Sequence, residues 1–301
     1  MTFPGAFGGK NVPVAITQLQ LAAGRATCHF PEHMPDLDAY LRRIEYTGPR
    51  TPTVAVLHAI HRRHALSIPF ENLDPIRGQP IDYSTAALVR KLVHDRRGGY
   101  CFEHGHLLLA MLRALGFEAE PLIARVRPLG TTVVTGLTHM LLRVTAEGRT
   151  FFADTGYGSL SLLEPLELMP GERQDHAGLE SRRLVAEGPL LVQQAELKGA
   201  WNDVYAFSPH APPPMDFEIG NWFTATYPES RFVLNLIAVR LEADRRHTLF
   251  NREYTVRFAG DRTETRTLTS PAELRALLTG TFELNLPADF PLTCPELVWT
   301  K

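Results

Sequence analysis

The sequence predicts an α+β multidomain protein with an N-terminal helical bundle, a central small β-barrel and a C-terminal α/β lid. Three observations carry this. At 301 residues the chain exceeds what one hydrophobic core usually serves. Up to Gly116 the apolar residues sit at helical spacing between capping residues. From Phe117 to about Val204 they fall into short alternating runs broken by Gly and Pro, the pattern of a small barrel. The expected divisions are an extension at 1–33, a helical bundle at 34–116, a barrel at 117–211, and a connecting helix with the lid at 212–301.

Residues 1–33 hold Gly-Gly, prolines and a mildly apolar run from Val12 to Ala23, interrupted by Thr17, Gln18 and Gln20. A signal peptide needs a more basic start and a cleaner apolar segment, so this extension receives no role. Asp36 is placed to cap a helix running to about Tyr46. Thr51-Pro52 opens a second through about Ala65, with proline at the first helical position. Ser84 caps a third, through about His94, and the helix starting at Cys101 ends at Gly116. In the barrel, the polar stretch Gly171 to Ser181 is expected as a surface loop. Pro212 to Pro214 stiffen the connection into a helix over Met215 to Thr224. Strands near Phe232 to Leu241 and Tyr254 to Phe258 follow, then a helix from Pro271 to Leu278.

The strongest functional clue is Cys101, in Arg97-Gly98-Gly99-Tyr100-Cys101-Phe102-Glu103 at the start of a helix. Helix N-terminal N–H groups favour thiolate over thiol, and the glycines are expected to let the backbone approach a substrate closely. A nucleophilic cysteine also needs a base and a group that orients the base. Leu137 to Ala146 and Arg149 to Thr155 read as two strands around a Glu147-Gly148 turn. With the turn centred there, Leu141 faces Asp154. His139, two residues from Leu141, points to the same face, so His139 and Asp154 become diagonal neighbours within side-chain reach. Alone, a Cys before a helix is a small core residue, and a strand His is structural. Together, three agreeing placements point to a thiol-protease-like catalytic core of Cys101, His139 and Asp154.

At these residues the chain resembles the arylamine N-acetyltransferases. The likeness rests on RGGYCFE at 97–103, TH at 138–139, DTGYG at 154–158, IPFENLD at 68–74 and NWFTATYPESRF at 221–232, in family order. It runs continuously from Leu37 to roughly Phe232 and is looser beyond. One departure stands at Gly105, where the family usually has Asn. The resemblance implies acetyl transfer from acetyl-CoA to an arylamine, hydrazine or N-hydroxyarylamine through an acetyl-cysteine, in ping-pong order. Acetyl-CoA would be a substrate, and no cofactor would be permanently bound. CoA would enter near Thr138 and Gly158, and Phe70, Tyr157 and Phe232 would surround the acceptor cleft. Where the family mostly has Phe, Tyr157 adds a hydroxyl that a polar ring substituent on the acceptor could pair. Arg97 and Glu71 would form a supporting pair beneath the cysteine loop.

Other classes fit less well. A net charge of −2 gives no electrostatic footprint for nucleic acid, and no stretch approaches the ~18 apolar residues of a membrane helix. Three cysteines, Cys28, Cys101 and Cys294, are too few for a disulfide framework, so the expected compartment is the reducing cytoplasm, and the resemblance implies xenobiotic metabolism as the setting. His58, His61 and His64 share a helix but lack Cys or carboxylate partners at ligand spacing. They are expected as a solvated basic face, with no metal site. His104 and His106 lack an orienting acid, which leaves His139 as the better base. Competing readings are an amide synthase releasing a tethered acyl chain and a thiol hydrolase or crosslinking enzyme. The papain-type signature around a catalytic cysteine is not matched at Cys101. A non-catalytic binding protein would have no need for all three residues.

Overall fold

The computed structural model describes residues 35–127, 133–175, 179–260 and 262–299. The expectation for residues 1–33 lies outside them. Four helical segments come first: α1 (Leu37–Arg43), α2 (Val54–Ser67), α3 (Thr85–Leu88) and α4 (Cys101–Ala114). Asp36 caps α1 by accepting the Ala39 N–H at 2.9 Å. That helix stops at Arg43, short of Tyr46, because Glu45 turns to a left-handed φ of 55°. The second helix is capped by Thr53, whose Oγ1 takes the Val56 N–H at 3.3 Å, and Pro52 stays outside it. Ser84 caps α3, which widens into a π-helical stretch over Val89–His94. A two-residue strand, β1 (Phe70–Glu71), lies between α2 and α3.

Seven antiparallel strands form the nearly closed barrel: β2 (Glu118–Val126), β3 (Leu137–Ala146), β4 (Arg149–Ala153), β5 (Leu166–Glu167), β6 (Arg182–Glu187), β7 (Leu190–Leu197) and β8 (Ala200–Phe207). Their order is β5-β4-β3-β2-β8-β7-β6. The hairpin of β3 and β4 closes in the expected register, with Leu142 opposite Ala153 and Ala146 opposite Arg149. Both turn residues have positive φ, 50° at Glu147 and 74° at Gly148, the twist a two-residue hairpin turn requires. Alternation then sorts the side chains. Met140, Leu142 and Val144 pack toward the helices, whereas Leu141 and Phe152 join Leu122, Val204 and Phe207 inside the barrel. His139 shares the parity of Leu141, and Asp154 that of Phe152.

Gly171 to Ser181 is not simply a surface loop. Gln174 pairs with Arg182, and the Gly171 N–H bonds the Leu184 carbonyl, so this stretch brings the β5 edge to β6. Buried Glu180 accepts from Arg182, from Arg246 at 2.8 Å and from Arg257 at 3.0 Å. Polar composition hid a buried ionic cluster.

After the barrel come α5 (Pro214–Thr226) and a short helix α6 (Arg231–Leu234), which replaces the strand expected at Phe232. The strands β9 (Ile237–Leu241), β10 (Arg245–Phe250), β11 (Glu253–Phe258) and β12 (Thr263–Thr267) precede α7 (Pro271–Thr279). They form a second sheet in the order β1-β9-β10-β11-β12, with Phe70 opposite Val239. Leu249, Leu274, Leu278 and Phe282 build its core. No helix among the described residues is long and apolar enough to cross a membrane.

Candidate active site

Cys101 is the first residue of α4 and only 4% exposed. The chain reaches it through a turn laid against β1: the Glu71 N–H bonds the Gly99 carbonyl at 2.9 Å, and Phe70 bridges Gly99. A Cβ on Gly98 would lie 2.2 Å from the Pro69 carbonyl oxygen, and one on Gly99 2.8 Å from the Glu103 Cβ. The glycines therefore serve close backbone packing within the protein. Glu103 closes the first helical turn by accepting the Tyr100 N–H at 3.1 Å.

Beneath the turn lies a buried ionic cluster. Arg97 Nε donates to Glu71 Oε1 at 2.8 Å and its Nη2 lies 3.3 Å from Asp74 Oδ1. Lys91 Nζ bridges Asp74 at 2.6 Å and Glu103 at 2.7 Å. Burial works against the charge on Lys91, yet the carboxylates of Glu103, Glu71 and Asp74 raise its pKa above the usual value. Burial also lifts Glu103, although Lys91 pulls it back. Lys91 carries no motif and was invisible in the sequence.

His139 and Asp154 meet across the β3–β4 hairpin, with Nε2 2.9 Å from Oδ2 and both residues 2% exposed. The other ring nitrogen is left for Cys101, whose sulfur favours the protonated imidazole. Sγ also lies 3.6 Å from the Thr138 carbonyl oxygen. Burial disfavours an imidazolium here, but the Asp154 charge and the hydrogen bonds to Asp154 and Cys101 outweigh it and carry the His139 pKa to about 10. Burial would raise Asp154; the His139 charge and hydrogen bonds from His139, the Gly156 N–H and the Tyr205 hydroxyl hold it below the usual carboxylate range. At neutral pH His139 is an imidazolium held against the Asp154 carboxylate, with Cys101 beside it.

Two tyrosine rings fix this imidazole. Tyr157 meets it edge-on at 5.0 Å, and Tyr205 tilts against it at 5.0 Å. Tyr205 escaped the sequence reading because nothing near it resembles a motif; its partner residue lies on another strand. The Tyr157 hydroxyl donates to the Val204 carbonyl at 3.2 Å. Its hydrogen-bonding need is met inside the protein, which corrects the expectation that an acceptor substituent would supply the partner. Thr138 is half-buried beside Cys101, and Phe70 and Phe232 stand 6.2 Å apart. Gly158, at φ 85°, would place a Cβ 3.8 Å from the Phe70 ring, so its backbone packs beside that ring.

The three histidines of α2 do not form a solvated face. Only His58 reaches solvent, 3.4 Å from Glu164, while His61 and His64 are fully buried. Tyr40 donates to His64 Nδ1 at 2.9 Å, His64 Nε2 bonds His104 Nδ1 at 3.0 Å, and His104 Nε2 bonds the Pro69 carbonyl at 3.3 Å. Because Pro69 can only accept, the chain of donors runs one way and fixes every tautomer. Burial pushes the His104 pKa down to about 4 and that of His64 well below its usual value. Helical spacing alone does not tell a wet stripe from a dry one. Gly105, further along α4, lets the helix approach β3: a Cβ there would meet Met140 Sδ at 2.7 Å. Among the described residues no group of three or more His, Cys, Asp or Glu could hold a metal.

Residues 53–290 match the family model described as N-acetyltransferase. An arylamine N-acetyltransferase of Mycolicibacterium smegmatis is 38% identical over 257 residues, covering 83% of this chain and 92% of that protein. The Escherichia coli arylamine N-acetyltransferase is 33% identical over 253 residues, covering 84% of this chain and 90% of that protein. Among solved structures, the Mycobacterium marinum arylamine N-acetyltransferase in complex with CoA superposes with a TM-score of 0.80 at 37% identity, covering 85% of this chain and 95% of that one.

Proposed function

This chain belongs to the arylamine N-acetyltransferase family and is an acyltransferase, and from that premise we propose that it moves an acetyl group from acetyl-CoA to an arylamine, hydrazine or N-hydroxyarylamine by way of acetyl-Cys101. The observation that carries the reading is the hydrogen-bonded pair of His139 and Asp154 beside Cys101 at the N-terminus of α4, whose sulfur lies 3.6 Å from the carbonyl of the neighbouring Thr138.

The imidazolium and the helix N-terminus both favour a thiolate at Cys101. That thiolate attacks the thioester carbonyl, and backbone N–H groups of the first helical turn stabilise the oxyanion. The carbon–sulfur bond to CoA breaks, and the departing thiolate takes the His139 proton. His139 is then neutral and serves as base for the second half. The amine attacks the acetyl carbonyl, its proton passes to His139, and Cys101 leaves as thiolate, which restores the ion pair. Asp154 holds the ring so that one nitrogen always faces the sulfur. One thioester replaces another in the first half, so the intermediate persists until an amine arrives.

CoA would approach past Thr138 and Gly158, and the acceptor would lie among Phe70, Tyr157 and Phe232. The M. marinum complex with CoA supports the donor. Arg97 and Glu71 support the cysteine turn, and the cytoplasm is the compartment this chemistry fits.

Intact-protein mass spectrometry tests the reading. With acetyl-CoA and no amine, an acetyl-sized mass should appear on Cys101 and vanish when an arylamine is added. Initial rates should give parallel double-reciprocal lines. Turnover by Cys101→Ala at the wild-type rate would overturn the mechanism.

A further inference from the structure

We propose that His61 is a positioning residue for the acetyl-transfer site, its Nε2 accepting the Asp154 backbone N–H and so setting where Asp154 leaves its strand. The inference rests on the proposed role of Asp154 as the group that orients His139.

His61 lies midway along α2 and is fully buried. An imidazole in such a place costs free energy unless its polar atoms are used. Nε2 is used: it lies 3.1 Å from the Asp154 backbone nitrogen. Asp154 is the first residue past β4, beyond the last paired position at Ala153, so its N–H has left the ladder. A buried N–H there needs an acceptor, and His61 provides it from a different part of the fold.

The bond fixes the chemical form of the ring. A nitrogen that accepts from a backbone N–H carries no proton, so the neutral ring holds its proton on Nδ1, which is buried without a hydrogen-bond partner. Burial lowers the His61 pKa to about 4, which the Leu163 backbone and the Asp154 charge only partly offset and which His58 deepens. At neutral pH the acceptor is therefore always present.

Asp154 is tied on every side. Its carbonyl takes the Leu162 N–H at 3.0 Å, Oδ1 takes the Gly156 N–H at 3.0 Å, and Oδ2 takes His139. The His61 bond is the one that reaches Asp154 from the helices. One turn further along the same face of α2, His64 bonds His104 on the helix of the nucleophile. A single helix face thereby registers both the strand end that carries Asp154 and the helix that carries Cys101. Because reaction geometry tolerates only small errors, a loosened strand end loses rate even though Asp154 remains present.

The test compares His61→Leu, which keeps an apolar volume but removes the acceptor, with His61→Gln, whose Oε1 restores one. The readouts are the acetylation rate of Cys101, its alkylation by iodoacetamide across pH, and Tm. His139 faces Asp154, Cys101, Tyr157 and Tyr205, so the alkylation profile reports how firmly Asp154 holds it. His61→Leu should lower the neutral-pH rates tenfold or more and move the rise of alkylation to higher pH, and Gln should recover most of both. Wild-type rates and profile in His61→Leu, whatever its Tm, would overturn the proposal. If Asp154→Asn alkylates like wild type, the reading of Asp154 falls and this proposal with it; if Asp154→Asn is impaired and His61→Leu is not, this proposal alone falls. Should His61→Leu not fold, imidazole nitrogen chemical shifts of the intact enzyme decide: a protonated Nε2 at pH 7 refutes the assignment.

Discussion

Gly156→Ala perturbs the site through one methyl group. Gly156 lies two residues beyond Asp154, and its backbone rests on the start of α4. A Cβ there would lie 2.8 Å from the Cys101 Cα, 3.1 Å from the His104 Cβ and 3.2 Å from the Cys101 carbonyl oxygen. Carbon atoms pack at about 3.5 Å or more, so one side must retreat by roughly 0.7 Å. Backbone atoms cannot swing aside as a long side chain does. The Gly156 N–H also bonds Asp154 Oδ1 at 3.0 Å, so the retreat pulls on the carboxylate that holds His139. Misplacement on this scale costs about 10²-fold in rate, or roughly 3 kcal/mol of transition-state stabilisation. The overpacking itself costs about 1–3 kcal/mol in stability. Single-turnover acetylation of Cys101, followed by quenched mass spectrometry below the Tm of the variant, separates the two effects. An alanine variant that acetylates within twofold of wild type would show that the 154–158 loop does not set the reacting geometry.

Three further outcomes are expected. Asp154→Asn removes the charge that carries His139 to about 10, leaving burial to push the imidazole pKa down; Cys101 acetylation at pH 7 should slow by orders of magnitude with the fold retained, and an unchanged alkylation profile would contradict this. His61 and His104 stay neutral in the fold down to about pH 4, whereas the unfolded chain takes up their protons below about 6.5, so stability is full above 6.5 and falls as pH drops toward 4. Each should lose about 3 kcal/mol across that window, read from urea unfolding at stepped pH, and a flat profile would refute the buried neutral assignment. Tyr157→Phe deletes the bond to the Val204 carbonyl and should cost about 1 kcal/mol in unfolding free energy. The ranking of hydroxylated against plain anilines should not change; a shift toward plain anilines would mean that the hydroxyl serves the substrate.

What the sequence disclosed follows from how local each feature is. The β3–β4 hairpin was legible to the register, since a two-residue turn and a period of two leave one arrangement that buries Leu141 and Phe152 together. The placement of His139 beside Asp154 came with it. Tyr205 was not legible because it reaches the site from an element distant in the chain, and Lys91 because a single lysine on a short helical stretch belongs to no motif. For His61 and His64 the spacing was plain, but nothing local distinguishes a helix face toward water from one toward a strand end. The C-terminal sheet was half seen: Arg245–Phe250 and Thr263–Thr267 are rich in Arg, Thr and Glu, so their strands lack the apolar alternation that marks β4.

The pairing of β1 with β9 sets an order of events during synthesis. Phe70 and Glu71 are stitched on one side to the turn before Cys101 and on the other to Ala238 and Val239. A ribosome has delivered Cys101, His139 and Asp154 long before it delivers residues 237–241. Until then the strand beneath the cysteine turn is an open edge, with nothing to hold that turn from one side. Such long-range closure is slow, so the turn before Cys101 gains its support from that side only once the second sheet has been made.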